Sequence, residues 1–272
     1  MNVFKTPEYE VVRKLRLLDD DLMCKVFDNN IPATELIVNI ILGREKTNLL
    51  KVIAQKVIKG VNGSHSVTLD IYAVDQEGQH YDIEIQRADK GAAPERARYN
   101  SAMIDVNSFE KGHNYTEMKN SYVIFITEKD VLKKNLPVYH IDRVVRETGE
   151  TFNDGSHILF VNGAYADNET EIGRLMHDFR CVDSSEIRNE ILKEKDRFFK
   201  EAEKGAVIMC KAVEEYVEKY KEKSHAEGRA EGIAEKTKET AIKMLKEGLD
   251  LDLIMRVTEL TEDELRELKK TI

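Results

Sequence analysis

Asp70 and the triplet Glu84-Ile85-Gln86 are the residues of this chain whose types and spacing could do chemistry. Along residues 67–73, Val67, Leu69 and Ile71 alternate with Thr68, Asp70 and Tyr72, a period of two that puts the polar set on one face of a strand. Residues 81–86 repeat the pattern, with Ile83 and Ile85 toward a core and Asp82, Glu84 and Gln86 opposite. Between the two runs lies Asp75-Gln76-Glu77-Gly78-Gln79, a polar, Gly-containing loop of the kind that closes a hairpin. Asp70 and Glu84 therefore become near neighbours. Like charges so placed repel unless a cation sits between them. Mg²⁺ takes oxygen ligands from one or two carboxylates and keeps waters for a substrate phosphate, so the pair points to phosphodiester chemistry. The pattern alone leaves open a plainer alternative, a hairpin whose acidic face is only solvated.

The elements that must position these residues can be read on either side. A helix is expected over 19–27, and a second one from Thr34, whose hydroxyl can cap it, to Gly43. A strand over 51–58, the hairpin, a helix over 94–110 opened by Pro94, and a strongly apolar strand over 122–127 follow. Two more strands, 137–142 and 157–161, flank a turn at Asn153-Asp154-Gly155, and a short helix covers 172–179. From Ser185 the composition becomes that of a long charged helix with an apolar stripe of Ile187, Ile191, Phe198, Ala202, Val207 and Met209. Residues 226–236 carry Gly at a period of about four, which predicts a frayed helical linker. Beyond it, a helix ending at Gly248, one opening at Asp250 or Asp252, and one opened by the capping box Thr261-Glu262-Asp263-Glu264 form either a miniature helix-turn-helix or a packing appendix. The expected organisation is 1–182, a catalytic-type α/β domain; 183–225, a charged helical segment; 226–240, the linker; and 241–272, the three-helix appendix.

Composition narrows the possible functions. A formal net charge of −9 with 34% charged residues argues against a non-specific polyanion binder, so any nucleic-acid contact must come from local basic patches. The first residues lack an apolar signal region and no later run reaches membrane-spanning length, from which a soluble, cytoplasmic protein without membrane contact is expected. Cys24, Cys181 and Cys210 lack metal-ligand spacing and read as reduced thiols. The seven histidines show neither HxH nor HExxH spacing, and no Gly-rich loop with Lys-Ser/Thr is present.

Asp70, then Glu84-Ile85-Gln86, then Arg87-Ala88-Asp89 and Pro94-Glu95-Arg96-Ala97-Arg98-Tyr99-Asn100-Ser101 resemble the PD-(D/E)XK nuclease superfamily. The likeness is strongest to the recombination-promoting nuclease and putative transposase family, whose members often carry E-x-Q in place of E-x-K. It extends over essentially the whole chain, through Asp21-Leu22-Met23-Cys24-Lys25-Val26-Phe27, Tyr122-Val123-Ile124-Phe125-Ile126-Thr127 and the Glu-Gly tail.

The resemblance implies an α/β fold with a mixed sheet and a restriction-endonuclease-like core in the order helix-strand-strand-strand-helix-strand, followed by a helical C-terminal region. It also implies a Mg²⁺- or Mn²⁺-dependent DNA endonuclease. Asp70 and Glu84 would then be catalytic metal ligands, with the carbonyl of Ile85 as a further oxygen and Glu35 as an additional acidic ligand, unless Glu35 is simply a favourable first-turn acid. Asp21 fits the early D-x-x-x-K segment, or caps its helix; Asp82, one residue off the motif, reads as solvated. Gln86 departs from the usual Lys: its amide can orient water but brings no positive charge. Arg96, Arg98 and Tyr99 are candidate DNA contacts, and Lys90 a candidate stand-in for the missing Lys. The rival readings are a catalytically weak DNA-binding or assembly protein retaining the nuclease fold, and a module binding partners or its own copies through the C-terminal helices.

Overall fold

The computed structural model describes residues 2–60, 65–87 and 92–270, without the side chains of 219–234 and 270. It divides into two units, residues 1–213 and 214–272. The first is built on six strands: β1 (Leu49–Ile58), β2 (Val67–Asp75), β3 (His80–Gln86), β4 (Ser121–Thr127), β5 (Val138–Ile141) and β6 (Ser156–Asn162). They lie in the order β1-β2-β3-β4-β6-β5. The β1-β2-β3 meander is antiparallel, β3, β4 and β6 run parallel, and β5 returns antiparallel on β6. Helices α1 (Pro7–Val12), α2 (Asp20–Phe27) and α3 (Ile31–Leu42) precede the sheet, α4 (Pro94–Ser108) makes the crossover from β3 to β4, and α5 (Glu171–Arg180) and α6 (Glu190–Glu201) follow it.

Both faces of the sheet are covered, as parallel strands require. On one, Leu22, Met23, Val26 and Phe27 of α2, Ile37 and Ile41 of α3 and Phe179 of α5 close over Ile71, Ile83, Ile85, Ile124 and Ile126. On the other, Ala97, Met103 and Ile104 of α4 close over Leu69, Tyr72, Val123, Phe125 and Phe160. The two sets show that β2 does not keep one alternation along its length. Val67 and Leu69 pack on the α4 side while Ile71 and Ala73 pack on the α2/α3 side, so the expected common face of Val67, Leu69 and Ile71 is corrected to two faces that exchange at Asp70. The partner strand explains the switch. β1 pairs through Lys56↔Leu69 and Ala54↔Ile71, and Gln55 between them is held in the left-handed region at φ 52°. Such a residue interrupts the pleat.

α3 starts at Ile31 rather than Thr34. The Asn30 side chain accepts the Ala33 N–H, Pro32 fits the first turn, and Gly43 at φ 61° closes the helix. Thr34 is buried inside, its hydroxyl donating to the Asn30 carbonyl. Downstream, the expected apolar stripe is corrected too. Ile187 and Met209 of that stripe are buried, but Ile191, Phe198 and Val207 are exposed, and their neighbours Leu192, Phe199 and Ala206 are buried instead, with Cys210 and Val213. The chain breaks at extended Ala202 between α6 and the long helix α7 (Glu203–Lys246), so a single helical phase cannot be carried across it. Gly205 permits the tight junction, since a Cβ there would lie 1.9 Å from the Phe198 carbonyl oxygen.

α7 runs without interruption through 226–240, where the Gly repeat predicts fraying. Each Gly costs about 1 kcal/mol against Ala but leaves the backbone donors that a Pro would remove. The second unit has its own small core of Ala241, Ile254 and Leu265, contributed by α7, α8 (Leu251–Thr258) and α9 (Glu262–Lys270). Asp250 caps α8, and Thr261 with Glu264 forms the expected capping box of α9. Among the described residues no helix is long and apolar enough to cross a membrane.

Candidate active site

The β2–β3 register pairs Tyr72 with Asp82 and Ile71 with Ile83, and one step further brings Asp70 to Glu84. Each carboxylate accepts a backbone N–H near the other: Asp70 N–H donates to Glu84 Oε1 at 3.2 Å, and Ile85 N–H donates to Asp70 Oδ2 at 3.1 Å. Gln55, in its left-handed conformation, donates from Nε2 to Asp70 Oδ1 and to the Cys24 Sγ, both at 3.2 Å. The interruption of β1 and the change of face in β2 thus meet at Asp70 and turn its carboxylate toward Glu84.

α4 closes the other side. Residues four apart share a helix face, and Arg96 and Asn100 both point at β3. Arg96 Nη2 is paired with Glu84 Oε2, and its guanidinium lies over the Phe125 ring, 5.6 Å from the centroid. Asn100 Nδ2 donates to Asp82 Oδ2 at 2.9 Å and to Glu84 Oε1 at 3.4 Å. Asp82, expected to be solvated, is fully buried, and its Oδ1 has no hydrogen-bond partner. The correction has a plain cause: α4 lies over this face of the sheet, so a polar strand residue here meets Asn100 and Glu84 instead of water.

Three carboxyl groups share this space, and all are pushed up. Burial first and the Glu84 charge second lift Asp70 to about 7. The same two causes hold Asp82 well above the carboxylate range. Burial raises Glu84 as well, against the opposing pull of Arg96. Asp20 of α2 adds to the negative field at Asp70 and is itself raised by burial and by Asp19. Asp20 stands one helical turn before Cys24, which Gln55 links to Asp70. Asp21 is pushed up to about 6 by burial and by Asp20 and Asp19. Asp21, which fits the D-x-x-x-K segment or a helix cap, lies inside α2 after the N-cap Asp19, and within the Asp19-Asp20-Asp21 run the helix phase of Cys24 is the signal that selects Asp20.

Glu35 is not brought to this cluster. Its Oε1 accepts the Leu49 N–H at 2.6 Å, and Leu49 pairs with Asp75, five residues and about 16 Å along β2 from Asp70. Gln86 ends β3 on the Asp82/Glu84 side, half-buried, with its carbonyl accepting the Glu128 N–H at 3.0 Å. Just beyond, Arg16 and Arg87 bind Glu128 and Asp19. Arg98 and Tyr99 lie on the outer face of α4, where the Tyr99 hydroxyl donates to the His65 carbonyl. Lys90 lies outside the described residues.

The donor set suits a hard divalent cation: two carboxylates on adjacent strands, all oxygen, where burial penalises unbalanced negative charge. The thiol of Cys24, pushed up to about 12 by burial and Asp70, is a poor ligand in this setting. His177, Asp178 and Cys181 also gather ligand atoms within 4.8 Å, but the Asp178 oxygens accept the Arg188 and Asn189 N–H groups and the Cys181 thiol donates to the His177 carbonyl. That cluster ties α5 to the entry of α6.

A mixed sheet in this strand order, with acids paired across its second and third strands and a helix crossing to the fourth, defines a PD-(D/E)XK nuclease core. The model of the PD-(D/E)XK nuclease family transposases matches residues 28–236, and the chain belongs to that family. Residues 234–270 match the C-terminal HTH domain of the Rpn/YhgA-like nuclease family. No curated protein and no solved structure matched the chain.

Proposed function

We propose that this chain is a Mg²⁺-dependent DNA endonuclease of the transposase-associated, recombination-promoting type. One observation carries the reading: half-buried Asp70 lies beside buried Glu84, and each accepts a backbone N–H from the other strand's motif. A pair so raised in pKa by burial and mutual charge is what a divalent cation would relieve. Asp70, Glu84 and the Ile85 carbonyl would hold the ion, with Mn²⁺ as a substitute for Mg²⁺. Bound there, it supplies Lewis-acid charge at the phosphate and lowers the pKa of a bound water. The Gln86 amide orients the attacking water by hydrogen bonding. Arg98 and Tyr99, on the outer face of α4, contact the DNA backbone. The HTH unit contributes further DNA contacts, the C-terminal helices are the surface for self-association, and the protein acts in the cytoplasm.

A second reading, a catalytically weak DNA-binding protein that keeps the nuclease fold, is favoured by neutral Gln86 in the position where the wider PD-(D/E)XK superfamily places Lys. Supercoiled plasmid incubated across a Mg²⁺ series separates the two. The endonuclease reading expects Mg²⁺-dependent nicking that is lost in Asp70→Ala. Equal nicking by wild type and Asp70→Ala refutes it, and DNA retention without nicking at any Mg²⁺ concentration leaves the second reading standing.

A further inference from the structure

Within the proposed nuclease function, on which this step rests, we infer that Arg96 supplies the positive charge that Gln86 does not: it rests on Glu84 in the free protein and turns to the scissile phosphate when the site is loaded. The first ground is placement. Arg96 Nη2 is already on Glu84 Oε2, and its charge favours the ionised forms of Asp20, Asp70 and Glu84 alike. It therefore faces Glu84, Asp70 and Asp20, whereas Asp82 is met by Asn100.

The second ground is support. Phe125 is the β4 neighbour of Glu84 in the parallel register, and the guanidinium lies over its ring. A planar cation on an aromatic face keeps its N–H fork directed while its bonding partner changes. Exposure is the third. Glu84 is fully buried, whereas the Arg96 side chain is 36% exposed, so the cation stands at the boundary between the carboxylates and the solvent from which a phosphate would arrive. Guanidinium groups bind phosphate oxygens with paired, charge-assisted hydrogen bonds, and stabilising charge that develops on those oxygens is the task of the missing Lys. Nothing covalent changes in this exchange; one ion pair is replaced by another.

The arrangement makes two assays move in opposite directions. Arg96 competes with any cation for Glu84, so removing it aids metal binding, yet the same change removes the charge that assists cleavage. A merely structural role would weaken both together. Full-length wild type, Arg96→Ala, Arg96→Gln and Arg96→Lys are titrated with Mn²⁺ by calorimetry at pH 8, then assayed on supercoiled plasmid at saturating Mn²⁺. Arg96→Ala is expected to bind Mn²⁺ about tenfold more tightly and to cleave about 10²- to 10³-fold more slowly, with Arg96→Lys recovering part of the rate. Arg96→Gln, which keeps most of the side-chain volume and hydrogen bonding, should behave as Arg96→Ala and guards against an Ala variant that does not fold. Cleavage by Arg96→Ala or Arg96→Gln within about threefold of wild type, or weaker Mn²⁺ binding in both, overturns the inference while Asp70-dependent cleavage by wild type leaves the nuclease reading intact. Cleavage that Asp70→Ala does not abolish removes that reading, and this inference with it.

Discussion

Asp70→Asn should make the metal-free protein more stable while abolishing its response to Mg²⁺. Burial and the neighbouring Glu84 raise the Asp70 carboxyl from 3.8 to about 7. At 1.36 kcal/mol per tenfold change in proton affinity, keeping it ionised costs the folded state up to about 4 kcal/mol. Between those two pH values the folded protein holds a proton that the unfolded chain has released, so stability falls as pH rises through this window and the full cost is present above it. Below 3.8 both states are protonated and the difference vanishes. Asparagine removes the charge. Its carbonyl can still accept the Ile85 N–H, but its NH₂ faces the Gln55 amide and one hydrogen bond is lost, at about 1 kcal/mol. The net expectation at pH 8 in EDTA is a gain of about 2–3 kcal/mol, or about 5–10 °C in Tm for a unit of this size. The chain has no Trp, so melts are followed by near-ultraviolet circular dichroism of its ten tyrosines. At pH 5 the gap between variant and wild type should narrow. Mg²⁺ at 100 times its Kd should then raise wild type alone, by about 2.7 kcal/mol. A variant less stable than wild type at pH 8 in EDTA, or an equal Mg²⁺ response in both, would refute the reasoning.

Gln86→Ala should slow Mg²⁺-dependent nicking about 10- to 100-fold with DNA affinity nearly unchanged, while Gln86→Lys should accelerate it and should rescue Arg96→Ala; no rescue in the double variant speaks against one shared electrostatic role. Leu265→Asp puts a charge into the fully buried core formed with Ala241 and Ile254, at a cost of several kcal/mol to a unit this small. It should weaken DNA binding in a gel-shift titration at least tenfold and leave the near-ultraviolet signal of the first unit unchanged; undiminished affinity would move DNA recognition away from α8 and α9.

The Asp70–Glu84 hairpin was legible in the sequence because two short period-two runs and a polar Gly loop leave few other arrangements. What surrounds it was less so, for identifiable reasons. Val67, Leu69 and Ile71 alternate as a one-faced strand should, but both faces of this sheet are apolar, so alternation cannot reveal that the face changes at Asp70. The change is imposed by Gln55 on the neighbouring strand, and a left-handed Gln carries no compositional mark. Asp82 reads as solvated for the same reason: polarity on a strand signals exposure only where no helix covers it. The stripe from Ile187 to Met209 mixes two helices whose phases are reset at Ala202, which is why Ile191, Phe198 and Val207 are exposed and their neighbours Leu192, Phe199 and Ala206 are buried. Thr34 looked like a cap because a Thr precedes the apolar run, yet Asn30 and Pro32 start the helix one turn earlier.

Three different devices hold the acidic cluster together in the metal-free protein, and they differ in how readily they can give way. Asp82 is favoured in its protonated form, because burial and the Glu84 charge push its carboxyl up and Asn100 satisfies only one of its oxygens. Asp70 is balanced by hydrogen bonds from Ile85 and from a Gln55 whose left-handed backbone costs of order 1 kcal/mol. Glu84 is balanced by a cation. Removing the Asp82 proton would leave a buried charge facing two others. Releasing Asp70 would strand a backbone donor. Arg96 is half-exposed, has aromatic support from Phe125 and is a cation that can exchange its carboxylate partner for a phosphate. The easiest way for the cluster to accept a metal and a phosphate together is therefore through Arg96, which is why its removal should separate metal affinity from cleavage instead of damaging both.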